Sequence, residues 1–289
     1  LDVNGSVTQG LVGWWKFDES NGTVANDSSG NNRNGSLTGF DSNTTQWVQG
    51  KVGGALQFDG TDDYVNINGY KGILGSSPRT MVAWIKTTKV ESSIMSWGNH
   101  NSAQKWSFPI KTDKLRVEAY NGSIVGTNEV TDDQWHHVGS VLPTGTNNIN
   151  QMLFYLDGVA EPHSEISNMV INTVASQDVR IGGLDFNSRY FQGLIDDVRI
   201  YDRALTAAEV AALYTLGSGN APTTTTTGDG TTIVADSGPV TTEKMADGAV
   251  TTAKLSESIL KYLRPEITTS PQAPGLVFGG QTVTLASQA

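Results

Sequence analysis

The 289-residue sequence contains no cysteine, so disulfides, thiol nucleophiles and cysteine zinc sites are excluded. Basic residues are few: Lys and Arg number 19 against 29 Asp and Glu, a net charge of −10. Such a balance lacks the cationic footprint that nucleic-acid phosphates require. No run reaches the roughly 18 apolar residues of a membrane-spanning helix, so no membrane span is expected. Apolar residues make up 37% of the chain, against about 45–50% in an average globular protein. Gly, Thr, Asn, Ser and Asp take their place. These are turn formers, suited to many short strands and poorly suited to long helices.

From Gly10 to Tyr214 the pattern is one of short, half-buried strands. Leu11-Val-Gly-Trp-Trp-Lys-Phe17, Ala55–Phe58, Tyr64–Ile67, Met81–Ile85, Leu115–Tyr120, Trp135–Val141, Met152–Leu156, Val179–Ile181 and Leu194–Tyr201 all fit it. Asp59-Gly60, Asn68-Gly69, Asn121-Gly122 and Asp157-Gly158 punctuate them as turns. The expected fold is all-β, an antiparallel jelly-roll sandwich over residues 8–216. Trp14, Trp84 and Trp135 are read as core. One helix closes it: Thr206 and Glu209 form a capping box before Ala207–Leu213.

Beyond Leu216 the composition changes. Residues 217–239, with five consecutive threonines at Thr223–Thr227, read as a linker. Residues 240–266 hold a ten-residue repeat, Val240-Thr-Thr-Glu-Lys-Met245 and Val250-Thr-Thr-Ala-Lys-Leu255. A helix follows whose apolar stripe, Leu255, Ile259, Leu260 and Leu263, predicts self-association, for example as a trimer. In residues 267–289, Gln281–Leu285 reads as a strand without a partner, as at the truncated start of another β domain or where strands pair between subunits.

Several segments in this order resemble the bacterial laminin-G-like, concanavalin A-like jelly-roll family over residues 10–215. They are Gly10–Asp18, Asn26–Gly35, Ala55–Val65, Trp135–Val138, Tyr155-Leu-Asp-Gly158 and Phe191–Tyr201. The repeat around Lys244 and Lys254 is similar to tail-fibre repeats, and Pro265-Glu-Ile267 onward resembles the entry to an immunoglobulin-like domain. Together these resemblances imply a module of a longer extracellular protein, at a bacterial surface. The start at Leu1 rather than methionine suits a mature exported chain, or a piece of a longer one.

The first candidate site is for a cation. Asp18 ends the first strand, Asn21, Asn26, Asp27 and Asn34 lie after it, and Asp196 and Asp197 sit in the last strand. First and last strands of a jelly roll commonly neighbour each other, so Asp18 and Asp196 are expected to approach. Carboxylates, amides and loop carbonyls make an oxygen set suited to calcium. The resembling family often holds calcium between these segments, which implies it here as a structural ion. Neighbouring Asp196 and Asp197 point to opposite strand faces, so one at most should chelate through its side chain. Asp59, Asp62 and Asp63 read as turn chemistry.

The second candidate site is for a glycan. Trp97, His100, Trp106 and Tyr120 are placed in or beside loops, with Arg189 and Tyr190 before the last strand. Exposed rings stack on sugars, and Arg189 suits a carboxylate or sulfate. Glycoside hydrolysis needs two carboxylates flanking one bond. The pairs Asp62-Asp63, Asp132-Asp133 and Asp196-Asp197 are adjacent and point apart, Glu118 stands alone, and His136-His137 has no nucleophile beside it. The expectation is a non-catalytic module binding polysaccharide or glycoconjugate. A fibre subunit assembled through residues 240–289 is the rival.

Overall fold

The computed structural model describes residues 7–41, 46–101, 103–184, 189–219, 223–226, 232–235, 276–278 and 281–283. Contacts divide the chain into two units, Leu1–Ala221 and Pro222–Ala289.

The first unit opens with strands β1 (Leu11–Trp15), β2 (Val24–Ala25), β3 (Gly35–Thr38), β4 (Trp47–Gln49), β5 (Gly54–Asp59) and β6 (Tyr64–Ile67). Longer strands follow: β7 (Arg79–Lys86), β8 (Glu91–Gly98), β9 (Lys105–Lys111), β10 (Lys114–Ala119), β11 (Gly122–Glu129) and β12 (His136–Leu142). The set ends with β13 (Leu153–Leu156), β14 (Val159–Glu161), β15 (His163–Ser167), β16 (Val179–Ile181) and β17 (Gln192–Tyr201), then helix α1 (Ala207–Gly217).

These strands form two antiparallel sheets. One has eight strands in the order β14-β13-β12-β7-β17-β5-β4, with β1 also on β17. The other has nine, in the order β15-β11-β10-β9-β8-β16-β6-β3-β2. Alternation places one face of each sheet inward. Phe108 of β9 stacks on Phe154 of β13, ring centroids 6.2 Å apart, and the Trp106 indole N–H donates to Met81 Sδ across the layer. Trp15, Phe58, Trp97, Trp106 and Ile195 are buried in this core.

Helix α1 covers the outer face of the eight-stranded sheet, where Val210 and Leu213 pack with Val82, Val141, Tyr155 and Tyr201. Its capping box is present: Thr206 Oγ1 accepts from Glu209 N, and Glu209 Oε2 accepts from Thr206 N. Arg79, fully buried, donates to the carbonyls of Ile73, Leu74, Gly75 and Ser77 and to Thr173 Oγ1. It fixes the turn before β7 without a carboxylate partner, and burial pushes its guanidinium down to about 9.

Four expectations change. Strands β8 and β9 replace the loops expected around Trp97 and Trp106; Pro109 interrupts the pattern of β9 but pairs beside a bulge, where proline is tolerated. Trp14 and Trp135 are only partly buried, unlike Trp84. Within the expected linker, Thr223–Thr226 pairs antiparallel with Thr232–Ala235, in keeping with the β preference of branched threonine. Gln281–Val283 does have a partner: it pairs antiparallel with Leu276–Phe278. The repeat and Leu255, Ile259, Leu260 and Leu263 lie outside the described residues.

Because the Trp106 ring has no exposed surface, Trp106→Ala is expected to cost about 3–5 kcal/mol. Urea unfolding measures it; a loss below about 1 kcal/mol would show the ring outside the core.

Candidate cation and ligand-binding sites

Strand β17 runs through the eight-stranded sheet and changes neighbour halfway along one edge. Gln192–Ile195 pair with β5 as far as Ile195↔Leu56, and pairing with β1 begins at Val198↔Trp15. Asp196 and Asp197 occupy the interval. On the opposite edge the register with β7 shifts between Asp196 and Arg199, a bulge, and Asp197 takes a left-handed φ of 48°. The bulge breaks the alternation of faces, so both aspartates are buried.

The turn before β5 closes over this interval. Val52 N donates to Asp196 Oδ2 at 2.7 Å, and Gly54 N donates to Asp18 Oδ1 at 2.7 Å. A Cβ on Gly53 would lie 2.3 Å from Asp18 Oδ1 and one on Gly50 2.7 Å from Asp196 Oδ2, so glycine is what lets the turn approach. Asp18 and Asp196 thus meet at one turn, and Phe17, preceding Asp18, also has a left-handed φ of 58°. Asp196 Oδ1 is buried and has no hydrogen-bond partner. Burial pushes the Asp196 carboxyl up to about 8; the charges of Asp197 and Asp18 add to the rise, and backbone N–H donors oppose it.

The other expected cation ligands are held elsewhere. Asp197 accepts from the Trp14 indole N–H and pairs with Arg199 at 3.0 Å. Asp27 accepts from the backbone N–H groups of Trp14, Ser29 and Arg33 and from the Ser29 hydroxyl. Burial alone would raise its carboxyl, but these bonds bring it below the usual range. Asn34 Oδ1 accepts from Asp27 N, Asn26 binds Glu19, and exposed Asn21 bonds Ser20. They order the loop after β1 instead of joining Asp18.

The nine-stranded sheet carries a different feature. Register opposes Ser36 to Asn66, Asn66 to Arg180, Arg180 to Ser96, Ser96 to Ser107, Ser107 to Glu118, Glu118 to Ser123 and Ser123 to Ser167. Directly opposed residues share a face, so this is one polar row across eight strands on the side away from the core. The adjacent row, Leu37, Val65, Ile181 and Met95, is apolar and faces inward.

Glu118 centres the row. It pairs with Lys105 at 3.0 Å, Arg116 at 3.0 Å and Arg189 at 3.0 Å. Burial opposes its ionisation, but Lys105 and Arg189 outweigh it and hold its carboxyl below the usual range. At the row's flanks, His100 meets Tyr120 edge-on at 4.8 Å, and Tyr190 stacks on Tyr64 at 6.4 Å with Arg180 over the Tyr64 ring at 4.6 Å.

Of the expected glycan ligands, the structure therefore gathers His100, Tyr120, Arg189 and Tyr190 around one face. Trp97 and Trp106 are a correction. Their rings are buried and stacked at 5.7 Å, because each alternates with a serine (Ser96, Ser107) that takes the outer face. Of Lys105, Arg116, Glu118 and Arg180, missed as a group, only Arg116 and Glu118 are signalled in the sequence, by charged residues at period two in β10.

Elsewhere, a depression of about 430 Å³ on the eight-stranded sheet is lined by Gln49, Gln57, Lys86, Asp133, Gln192 and Leu194 among others, none aromatic. Oxygens of Asp59, Asp62 and Asp63 lie within 4.8 Å of one another. Asp63 accepts from Asp59 N and Asp59 from Thr61 N, which is turn chemistry. His136 bridges Asp157 and Asp132 at 2.9 and 3.1 Å. His137 is buried, which pushes its imidazole down to about 3.

Paired terminal strands closing two antiparallel layers define a concanavalin-like jelly roll. Residues 59–211 match the Laminin_G_3 model, described as the Concanavalin A-like lectin/glucanases superfamily, and the chain belongs to that family. Among solved structures, it resembles domain 4 of AbnA, a GH43 extracellular arabinanase from Geobacillus stearothermophilus, in complex with arabinotriose. The TM-score is 0.54 at 20% identity, over 71% of this chain and 98% of that one. The binding domain of Paraclostridial Mosquitocidal Protein 1 gives 0.52 at 16% identity, over 73% and 53%. The Botulinum neurotoxin serotype D binding domain gives 0.51 at 16%, over 76% and 54%. The chain thus spans about half the length of these toxin domains. At such identities the likeness is one of fold. No curated protein matches the sequence. Among the described residues, no helix is long and apolar enough to cross a membrane.

The Asp196 carboxyl binds a proton in the folded state that it loses on unfolding between its ordinary value of 3.8 and about 8. Its contribution to stability is therefore full below pH 4 and declines as pH rises toward 8, by up to about 4 kcal/mol at pH 7. In metal-free protein Asp196→Asn should flatten this decline in melting temperature; an unchanged slope would place the titration elsewhere.

Proposed function

We propose that this chain is an extracellular, non-catalytic glycan-binding module that holds a structural calcium ion. The observation that carries glycan binding is the polar row from Ser36 to Ser167, flanked by the His100–Tyr120 and Tyr64–Tyr190 ring pairs. Sugars are bound by directional hydrogen bonds beside aromatic surfaces; Ser96, Ser107, Glu118 and Ser123 in the middle of the row are buried, so the accessible groups are Ser36, Asn66, Arg180 and Ser167 beside the His100, Tyr120 and Tyr190 rings. The AbnA domain in complex with arabinotriose and the toxin binding domains support the reading, since the fold serves recognition there.

Recognition fits the acid–base groups better than hydrolysis does. A glycosidase needs one carboxyl kept protonated beside a second across the scissile bond. Glu118, the carboxylate of the row, is instead held ionised by three cations.

Calcium fits the junction at Asp196. A buried carboxylate oxygen without a donor, beside a second carboxylate bound to the same glycine turn, is an oxygen set short of a cation. Asp18 and Asp196 would hold the ion. Its charge would replace the proton on Asp196 and tie β1, β17 and the turn before β5 together.

Restoring millimolar calcium to metal-stripped protein at pH 8 should raise the melting temperature by roughly 5 °C, since binding at 100 times Kd contributes about 2.7 kcal/mol. The rise should shrink below pH 7, where the ion must displace a proton. No shift at either pH would remove the ion from the proposal.

Affinity electrophoresis of the full chain through gels of plant polysaccharide should show retention that Tyr190→Ala weakens at least fivefold. Unretarded migration in a broad polysaccharide panel would sink glycan recognition.

A further inference from the structure

We infer that the depression on the outer face of the eight-stranded sheet is a second saccharide site, taking a neutral sugar against Trp135 and the amides of Gln57 and Gln192. This site is separate from the polar row of the other sheet and does not depend on it.

The first argument is placement. Register sets Gln57 of β5 opposite Leu194 of β17, and Leu194 opposite Lys86 of β7. Directly opposed residues share a face. Their strand neighbours Leu56, Phe58, Ile85 and Ile195 belong to the core, so this row faces outward. Pairing of β12 with β7 reaches His136↔Ile85, and one further step sets Trp135 beside Lys86. Alternation turns Trp135 the same way as His137, whose ring meets Tyr214 of α1 on the outer face. An amide, an apolar side chain, an ammonium and an indole thus succeed one another in one row. Gln49, Asp133 and Gln192 also line the depression.

The second argument is the set of groups left open. The chain has seven tryptophans. Five place the indole N–H on a protein acceptor: Trp14 on Asp197, Trp15 on Arg33 O, Trp47 on Gly22 O, Trp97 on Ile73 O and Trp106 on Met81 Sδ. The Trp84 N–H is buried. Trp135 alone is half-buried with its N–H bonded to no described residue. An indole with an accessible apolar surface and an open polar tip suits a ligand that has both kinds of surface. The side-chain amides of Gln57 and Gln192 are exposed and likewise bond no described residue. Each offers donors and an acceptor, the complement of a sugar hydroxyl.

The third argument is charge and size. Among the described residues, the only charged groups lining the depression are Lys86 and Asp133, which lie 3.9 Å apart and cancel. Nothing in it selects an ionised ligand. Its volume of about 430 Å³ falls within the roughly 300–1,000 Å³ of small-ligand sites. Leu194 gives the floor an apolar surface for the carbon–hydrogen face of a sugar ring, beside amides for the hydroxyls.

Indole N–H resonances in proton–nitrogen NMR spectra of the full chain test this, with arabinotriose, cellotriose and laminaritriose as neutral probes. At least one should shift the Trp135 signal, assigned by its loss in Trp135→Phe, and leave the Trp15 and Trp106 signals in place. Gln57→Ala, a change at an exposed side chain, should raise the titration midpoint at least fivefold, and Tyr190→Ala should leave it unchanged. A Trp135 signal that stays still with all three probes overturns the site. So does a shift that Gln57→Ala leaves unaltered, or one shared by buried Trp106. Gel retention abolished by Tyr190→Ala, with Trp135 silent, would keep the polar row and remove this site. A Trp135 shift with gel retention indifferent to Tyr190→Ala would do the reverse.

Discussion

Everything near the cation candidate depends on one pairing, β1 against β17, which joins residues almost 200 positions apart. Its energetic support is the core on which both strands lie, where Trp15, Ile195, Val198 and Ile200 are buried. The pairing is incomplete by design of the register. β5 occupies the same edge of β17 up to Ile195, and β1 takes over at Val198. Two residues are left without ladder partners on that edge, and both are aspartates. Left-handed backbone at Phe17 and Asp197 stores strain on either side of the gap, of the kind that persists where surrounding structure over-determines it.

The same pairing sets what the glycine turn can do. Gly50, Gly53 and Gly54 pass so close to Asp18, Asp196 and the chain at Phe17 that any side chain would collide. Two carboxylates are therefore fixed by two backbone N–H groups of one turn, which would orient them for the proposed ion. Preorganisation of this sort reduces the ordering cost of binding. It also explains why the remaining acidic and amide groups of the first loop are not needed at that point. Asp27 and Asn34 use their oxygens on backbone N–H groups and shape the loop instead.

Much of this was legible in the sequence. Period-two strands, turn dipeptides and the Thr206–Glu209 box located most elements, and the approach of Asp18 to Asp196 followed from first-and-last-strand adjacency. What stayed hidden has physical causes. The β-bulge at Asp197 breaks period two, so alternation wrongly separated the two aspartates by face when both are buried. Trp97 and Trp106 resemble exposed sugar platforms because serines surround them, yet serine on the outer face is what leaves tryptophan for the inner one. Pro109 and the Ser92-Ser93 pair disguised two long strands as loop. The partner of Gln281–Val283, Leu276–Phe278, is only three residues long, too short for a period-two pattern to reveal it.

Two nearly buried carboxylates summarise how environment assigns the chemistry of the two faces. Desolvation acts on both in the same direction, disfavouring the charged form. Asp196 has Asp197 and Asp18 as charged neighbours, and its carboxyl is pushed up. Glu118 has Lys105 and Arg189 leading the opposition, and its carboxyl is drawn down. One location therefore brings carboxylates together; the other gathers cations about a single carboxylate. Taking these groups out of water opposes folding at both places. The hydrophobic layer between the sheets, with Trp15, Phe58, Trp106 and Ile195 buried in it, offsets that cost at both places.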